Sequence, residues 1–262
     1  MRMSAALCDR LNRLFAGSQH QPKPLDLAYA RGRHAHGANF AKRFGDLARV
    51  ADGERLLDLG CGCGGHVQWL AEHGTAVAVG LSYGDAETRI CAAFTRERAL
   101  GHCHTIRGDA HALGLRSEVF DTAITVDTME HYHTPETMLE EAYRVLRPGG
   151  RLCLRFNPFY SRRGHHLRAY IRLPWAHVVF STDTLLEVCQ RTRARMADGL
   201  PAEQAAGLRV PTRAAYDAEL NRITVQRFQQ ALRSRPWRVV LLDLQHHAGP
   251  LGALLKRLPV LR

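Results

Sequence analysis

A glycine-rich turn between two apolar segments is the part of the sequence best suited to binding a ligand. Asp58 lies in an apolar run, and Gly60, Gly62 and Gly65 follow at the spacing Gly-x-Gly-x-x-Gly. Glycines let the backbone approach a ligand that a Cβ atom would exclude, and the N-terminus of the next helix would face that ligand. The same spacing also fits a dinucleotide site, so the turn alone leaves open two cofactors and a purely structural role.

Three further segments, which follow the turn in order along the chain, narrow the choice of cofactor. They are Arg107–Ala110, Val126–His131 and Glu140–Gly150. Together with residues 56–64 they resemble the motifs of class I S-adenosylmethionine-dependent methyltransferases, in particular the type 11 group. A nicotinamide dehydrogenase, which shares the glycine turn, would not explain Gly-Asp-Ala after the third strand or the Arg-Val-Leu-Arg-Pro-Gly-Gly segment.

The resemblance implies S-adenosyl-L-methionine as the cofactor and methyl transfer to oxygen, nitrogen or carbon of a small molecule. It implies that the cofactor is bound by Asp58, Gly60, Cys61, Gly62, Gly80, Leu81, Ser82, Asp109, Ala110 and Asp127. One position departs from the family, which usually has an acidic residue where Gly80 stands, to bind the ribose. Asp85, Glu87 or Ser82 with water are the alternatives, and one lost hydrogen bond would weaken binding by about 1–2 kcal/mol.

Transfer of a methyl group from a sulfonium is an in-line displacement, so positioning dominates and a base helps when the acceptor carries a proton. His131 is the first candidate for this catalytic base, because it follows the fourth strand and should face the pocket. Tyr132 and His133 are the alternatives. A role in packing or capping the loop is equally open for His131.

A basic segment follows the fifth predicted strand. Between residues 151 and 172 the chain has six arginines and no acidic residue, the arginines being Arg151, Arg155, Arg162, Arg163, Arg168 and Arg172. This composition is typical of a lid that binds an anionic group, and equally of a solvated basic surface. An anionic or sugar-containing intermediate of a biosynthetic pathway is therefore the expected acceptor. His165 and His166 are adjacent and should point in different directions, so no metal site is expected.

Alternating apolar strands and helices predict an α/β fold, a doubly wound Rossmann-like and mostly parallel sheet, with an inserted α-helical lid after strand five. The predicted segments are an N-terminal helical accessory segment (1–50), the cofactor-binding core (51–156), the lid (157–220) and a C-terminal completion of the core (221–262). Arg238–Gln245 is predicted as a sixth strand, and a seventh strand is doubtful.

The net charge of +11 raises a second enzymatic hypothesis, an RNA methyltransferase. It is the less favoured one, because only three of the 36 basic residues are lysines and no base-flipping motif follows strand four. A methyltransferase-like protein that binds without turnover is the third hypothesis, kept open by Gly80. No run of eighteen apolar residues and no signal peptide is found, so a cytoplasmic protein with no membrane partner is expected. The seven cysteines lack a disulfide or zinc pattern.

Overall fold

The computed structural model describes residues 4–15, 25–44 and 53–243. Its centre is a five-stranded sheet in the order β3-β2-β1-β4-β5, and every neighbouring pair of strands is parallel. The strands are β1 (Glu54–Leu59), β2 (Thr75–Ser82), β3 (Cys103–Arg107), β4 (Phe120–Val126) and β5 (Leu146–Arg155). The predicted Rossmann-like α/β sheet is confirmed.

Eleven helices accompany the sheet in the described residues. They are α1 (Ala5–Leu14), α2 (Leu27–His34), α3 (Gly37–Phe44), α4 (Gly65–Ala71), α5 (Asp85–Glu97), α6 (Pro135–Val145), α7 (Ala176–Val179), α8 (Thr182–Ala197), α9 (Ala202–Gly207), α10 (Arg213–Glu219) and α11 (Val225–Ala231). None of the helices in these residues is long and apolar enough to cross a bilayer. All seven cysteines lie in this part of the chain as free thiols, and six are buried.

Apolar residues cover both faces of the sheet. Successive residues of a strand point to opposite faces, and Leu56 and Leu57 of β1 accordingly enter different apolar clusters, one with Val67 of α4 and the other with Leu139 of α6. Every residue of β4 is buried, as expected of an inner strand of a parallel sheet. The strand order reverses between β1 and β4, which is where parallel sheets open a crevice for ligands.

Helices α7, α8 and α10 form a further apolar cluster with α1, separate from the sheet. In α1, Asp9 forms an ion pair with Arg195 of α8 at 2.7 Å. The Asn12 amide donates to the Tyr170 carbonyl, and its oxygen accepts from the backbone N–H of Arg172. Helices α2 and α3 instead pack against α4. The first fifty residues, predicted as one accessory segment, therefore contribute helices to two different layers.

The prediction of a sixth strand at Arg238–Gln245 is wrong for the residues that the structure describes, 238–243. Residues 238–243 have no strand hydrogen bonds, and residues 244 and 245 lie outside the described residues. The apolar side chains of Val239–Leu242 are about half exposed. A run of β-branched and aliphatic residues favours extended backbone but does not provide a partner strand, and a strand forms only by pairing. The doubtful seventh strand also falls outside the described residues.

A smaller correction concerns β5, predicted to begin at Arg151 after a Pro-Gly-Gly turn. It begins at Leu146, which pairs with Phe120, and the ladder shifts register before Arg151 pairs with Thr122. The Pro148–Gly150 segment is thus an irregularity within the strand.

Candidate functional site

The glycine turn after β1 has backbone angles that suit glycine. Gly60, Gly62 and Gly64 have φ values of +80°, +53° and +88°. The N–H groups of Gly60 and Cys61 both donate to the Leu81 carbonyl of β2 at 2.9 Å, which fixes the turn on the sheet. A Cβ at Gly62 would meet no atom within 4 Å, so this side of the turn opens on free space. The turn is therefore a cradle that can bring backbone close to a ligand.

One cavity of about 2270 Å³ begins at this turn. Half of the predicted cofactor-binding residues line it, namely Asp58, Gly60, Cys61, Gly62 and Asp127. The cavity is larger than a single small-molecule site because it also continues along the outer edge of β5, beside Val239–Asp243.

The other five predicted residues lie at the same edge of the sheet but outside the lining of this cavity. A Cβ at Gly80 would lie 2.9 Å from the Cys61 sulfur and 3.2 Å from Val67 Cγ1. The carbonyls of Leu81 and Ser82 accept hydrogen bonds from the N–H groups of neighbouring loops. Asp109 accepts hydrogen bonds from the backbone N–H and the ring of His111. Ala110 is buried beside Asp109. Since Cys61 and Val67 already fill the space at Gly80, the usual acidic residue would not fit here without movement.

Helix α2 supplies two residues that the sequence did not indicate. Tyr29 and Arg33 line the cavity beside the glycine turn. A Cβ at Gly65 would lie 2.6 Å from the Arg33 backbone, so α2 packs tightly on the start of α4. Burial raises the pKa of the Asp58 carboxyl to about 8, and the nearby Arg33 guanidinium opposes that shift. No local pattern marks Arg33, because its position depends on packing between helices.

Asp127 follows β4 in a left-handed conformation with φ +56°. Its carboxylate accepts from Arg155 Nη2 at 2.6 Å and lies 3.7 Å from Arg33 Nη2. Its backbone N–H donates to the Arg155 carbonyl at 2.7 Å. A non-glycine residue in this conformation is held there by its surroundings, at a cost of about 1–3 kcal/mol.

Of the three candidate bases, His131 alone lines the cavity in the described structure. Its Nδ1 lies 3.1 Å from the Glu219 carbonyl, which can only accept, so Nδ1 carries the proton and Nε2 is left as an acceptor. The buried Tyr132 hydroxyl donates to the Leu59 carbonyl at 3.0 Å, and burial raises its pKa. His133 stacks on His111 and is exposed.

Asn221 holds the short 3₁₀ turn that carries His131. Its amide donates to the carbonyls of Met129 at 2.8 Å and Tyr132 at 2.6 Å, and its backbone N–H donates to the Glu130 carbonyl at 3.0 Å. This clamp spans about ninety residues of sequence, so no spacing could have revealed it.

Two side chains close to His131, those of His166 and Glu130, were not among the predicted site residues. His166 lies against His131, with ring centroids 5.1 Å apart, and its Nε2 is 3.5 Å from Glu130 Oε1. His165 points elsewhere, into the helical cluster, where its Nδ1 accepts from the Leu167 N–H. The two adjacent histidines do point in different directions, as expected, but one of them joins a neighbouring histidine and a carboxylate.

Comparison with known proteins identifies the segment that carries the glycine turn. Residues 57–154 match the family model described as "Methyltransferase domain". This segment is a methyltransferase domain. The family implies S-adenosylmethionine as the cofactor, and the open glycine cradle with the buried Asp58 fits such a group.

Two curated relatives are similar to part of this chain. The 24-methylenesterol C-methyltransferase 2 of Oryza sativa subsp. japonica is 30% identical over 110 residues, which are 42% of this chain and 30% of that protein. The phthiotriol/phenolphthiotriol dimycocerosates methyltransferase of Mycobacterium leprae is 35% identical over 103 residues, 38% of this chain and 37% of that protein. The chain thus spans about a third of the length of these curated relatives. A solved SAM-dependent methyltransferase from Aquifex aeolicus is 15% identical, with a TM-score of 0.45, covering 73% of this chain and 88% of that one.

Outside the matched segment, three arginines border the methyltransferase domain's cavity. Arg162, Arg163 and Arg168 line it, and none of the ion pairs found in the described residues includes them. Burial and the charges of its arginine neighbours lower the pKa of Arg163. Arg151 and Arg155, counted with this group from the sequence, belong to β5. Their charges are paired with Glu54 and Asp127.

His66, at the start of α4, makes the domain sensitive to acid. It is 7% exposed, and burial together with Arg33 and Arg155 lowers its pKa to about 3. The unfolded chain takes up this proton below about pH 6.5 while the folded protein does not, so stability is lost as the pH falls from about 6.5 toward 3. Between pH 7 and 5, the wild type should lose about 2 kcal/mol more than His66→Gln. Urea unfolding of both proteins at both pH values measures this, and equal acid sensitivity would contradict it.

Proposed function

We propose that this protein transfers a methyl group from S-adenosylmethionine to a small-molecule acceptor that carries an anionic group. The observation behind the proposal is a single cavity, which joins the glycine turn of the methyltransferase domain to His131 and to Arg162, Arg163 and Arg168. Five of the predicted cofactor-binding residues, the candidate base and the proposed anion site therefore share one solvent-accessible space.

On the cofactor side, the proposed contacts are those at the glycine turn. S-adenosylmethionine, when bound, supplies a methyl group activated by its sulfonium. The backbone at Gly60, Cys61 and Gly62 allows close approach, while Asp58 and Asp127 are acceptors in the same wall. Arg33 is the proposed cation for the carboxylate of the cofactor. The roles of Gly80, Leu81, Ser82, Asp109 and Ala110 remain predictions from the family resemblance.

On the acceptor side, His131 is proposed to assist loss of the acceptor's proton. Its protonated Nδ1 is held by the Glu219 carbonyl, which leaves the Nε2 lone pair available. Fixed orientation of the imidazole is what a positioned base requires. The Asn221 clamp keeps the supporting turn rigid and acts as a positioning group.

Relatives support a small molecule as the acceptor class. The named curated proteins are sterol and lipid methyltransferases. For this chain the arginines add a preference for a carboxylate or phosphate, because guanidinium groups pair with both.

The proposal is tested by incubating the purified protein with methyl-labelled S-adenosylmethionine and a cell extract separated into small molecules, RNA and protein. Label is expected in the small-molecule fraction, in anionic compounds retained on an anion exchanger. Label confined to the RNA fraction would support the RNA methyltransferase hypothesis instead. A folded protein that fails to bind S-adenosylhomocysteine in calorimetry would overturn the enzymatic assignment.

The arginines should act on the acceptor and not on the cofactor. Replacing Arg162, Arg163 and Arg168 together by glutamine is expected to raise KM for the acceptor about tenfold, since partly exposed charged hydrogen bonds contribute modestly. The Kd of S-adenosylhomocysteine should not change. The matched control is a double replacement of Arg191 and Arg213 by glutamine, which removes exposed charges elsewhere. If the triple variant has an unchanged KM, the basic segment is a solvated surface that does not bind the acceptor.

A further inference from the structure

Glu130, His131 and His166 form a cluster at the wall of the cavity, close to the end of β4. Each offers one ligand atom, a carboxylate oxygen or an imidazole nitrogen, and these atoms all lie within 4.8 Å of one another. Atoms that bind a common ion at about 2.0–2.2 Å are at most about 4.4 Å apart, so only a small closure would be needed. All three residues line the cavity.

Glu130 provides a second, independent observation that points to a cation at this wall. Its side chain is only 4% exposed. One oxygen, Oε1, is 3.4 Å from the Asn157 N–H and 3.5 Å from His166 Nε2. The other oxygen, Oε2, is buried and has no hydrogen-bond partner among the described residues. A buried carboxylate oxygen without a partner is costly, and native proteins usually provide one, whether a donor, water or a cation.

His131 has the orientation typical of a metal-bound histidine. Such histidines usually donate their other ring N–H to a carbonyl or carboxylate, which fixes the ring. Here Nδ1 faces the Glu219 carbonyl at 3.1 Å, and Asn221 clamps the backbone of the turn. His166 has a left-handed backbone, with φ +53°, that turns its ring toward Glu130 and away from His165.

We propose that Glu130, His131 and His166 bind a divalent transition-metal ion. Two imidazoles and one carboxylate are a ligand set that suits Zn²⁺ and Fe²⁺, and they leave coordination positions open. Asp127 adds negative charge to the surroundings of His166, and Arg168 adds positive charge there. The expectation of no metal site was based on the sequence, in which 35 positions separate His131 from His166 and nothing indicates that they meet.

The open coordination positions would face the cavity and take an oxygen of the acceptor. That part rests on the proposed function. The ion would use the His131 Nε2 lone pair, so His131 would then assist proton loss through the ion, which lowers the pKa of a bound hydroxyl or water.

The test is metal binding by the full chain, stripped of metal with a chelator. We expect one equivalent of Zn²⁺ per chain in competition with a chromophoric chelator. Co²⁺ should give visible d–d absorption without the near-ultraviolet charge-transfer band of thiolate ligands. Glu130→Gln and His166→Gln should each raise the Kd of Zn²⁺ by more than ~100-fold, beyond the 10- to 100-fold typical of residues that only orient a ligand. His104→Gln, which removes an exposed histidine of β3, should leave it unchanged.

Three results would overturn the proposal. They are no Zn²⁺ uptake by the wild type, equal Zn²⁺ affinity in the folded Glu130 and His166 variants, and a thiolate band in the Co²⁺ spectrum, which would place the ion at cysteines. Circular dichroism of each variant establishes that it is folded, and Glu130→Gln preserves side-chain shape. Binding of S-adenosylhomocysteine is measured in parallel with and without metal. If S-adenosylhomocysteine binds in neither condition, the proposed function is refuted, but the result for the metal site still stands.

Discussion

Gly62→Val is expected to weaken binding of S-adenosylhomocysteine by ~100-fold or more, about 2.7 kcal/mol, in a protein that still folds. The reason is geometric. Gly62 lines the cavity with φ +53°, and an added Cβ meets no protein atom within 4 Å. The valine side chain would therefore occupy space that the cofactor needs, and would not disturb the packing of the domain. Isothermal titration calorimetry with S-adenosylhomocysteine measures the change.

The control for this variant is Gly199→Val. Gly199 also has a positive φ, +78°, and open space around its Cα, but it lies after α8 and outside the cavity lining. Both substitutions should cost a similar amount of stability, about 1–3 kcal/mol for a side chain in this backbone region. Only Gly62→Val should lose cofactor affinity. Wild-type affinity in Gly62→Val would show that the cofactor does not approach the turn.

Gly60 is the less informative position for such a test. A Cβ there would collide with the Thr128 side chain, which follows β4. A substitution at Gly60 would thus disturb the contact between two loops as well as ligand approach, and a loss of binding could not be assigned to either one.

The sequence predicted the sheet and the glycine turn because both depend on local signals. Strands β1, β2 and β4 contain short apolar runs bounded by turn residues, and the order of motifs identified the fold around Asp58–Gly65. β4 was found at its observed bounds, since its β-branched residues match a buried parallel strand. The run Val239–Leu242 has a similar composition but no partner strand in the described residues, so composition alone does not predict strand pairing.

The wall of the site was less predictable because chain segments far apart in sequence build it. Arg33 reaches the glycine turn through the packing of α2 on α4, and Asn221 clamps the His131 turn from the far side of the helical segment. His166 was passed over because the position of its ring depends on a left-handed backbone. From composition, the six arginines between residues 151 and 172 formed one group. In the structure, ion pairs with Glu54 and Asp127 neutralise Arg151 and Arg155. Tertiary contacts of this kind leave no period or spacing in the sequence.

His131→Gln is expected to lower kcat for methyl transfer by ~100-fold, the lower end of what a positioned proton acceptor contributes. Glutamine can still donate to the Glu219 carbonyl, so the turn should keep its place, but its amide neither accepts a proton nor replaces an imidazole as a metal ligand. The kcat should therefore fall whether Nε2 takes the proton itself or acts through a bound ion. Initial rates with an acceptor identified by labelling measure the effect.

The same experiment separates chemistry from packing. His133, two residues further along, is exposed, stacks on His111 and does not line the cavity, so His133→Gln should keep its kcat. Neither variant should change the Kd of S-adenosylhomocysteine, because both positions follow β4 on the acceptor side. If His131→Gln retains full kcat with normal cofactor affinity, His131 only packs its loop, and the cavity relies on positioning alone to transfer the methyl group.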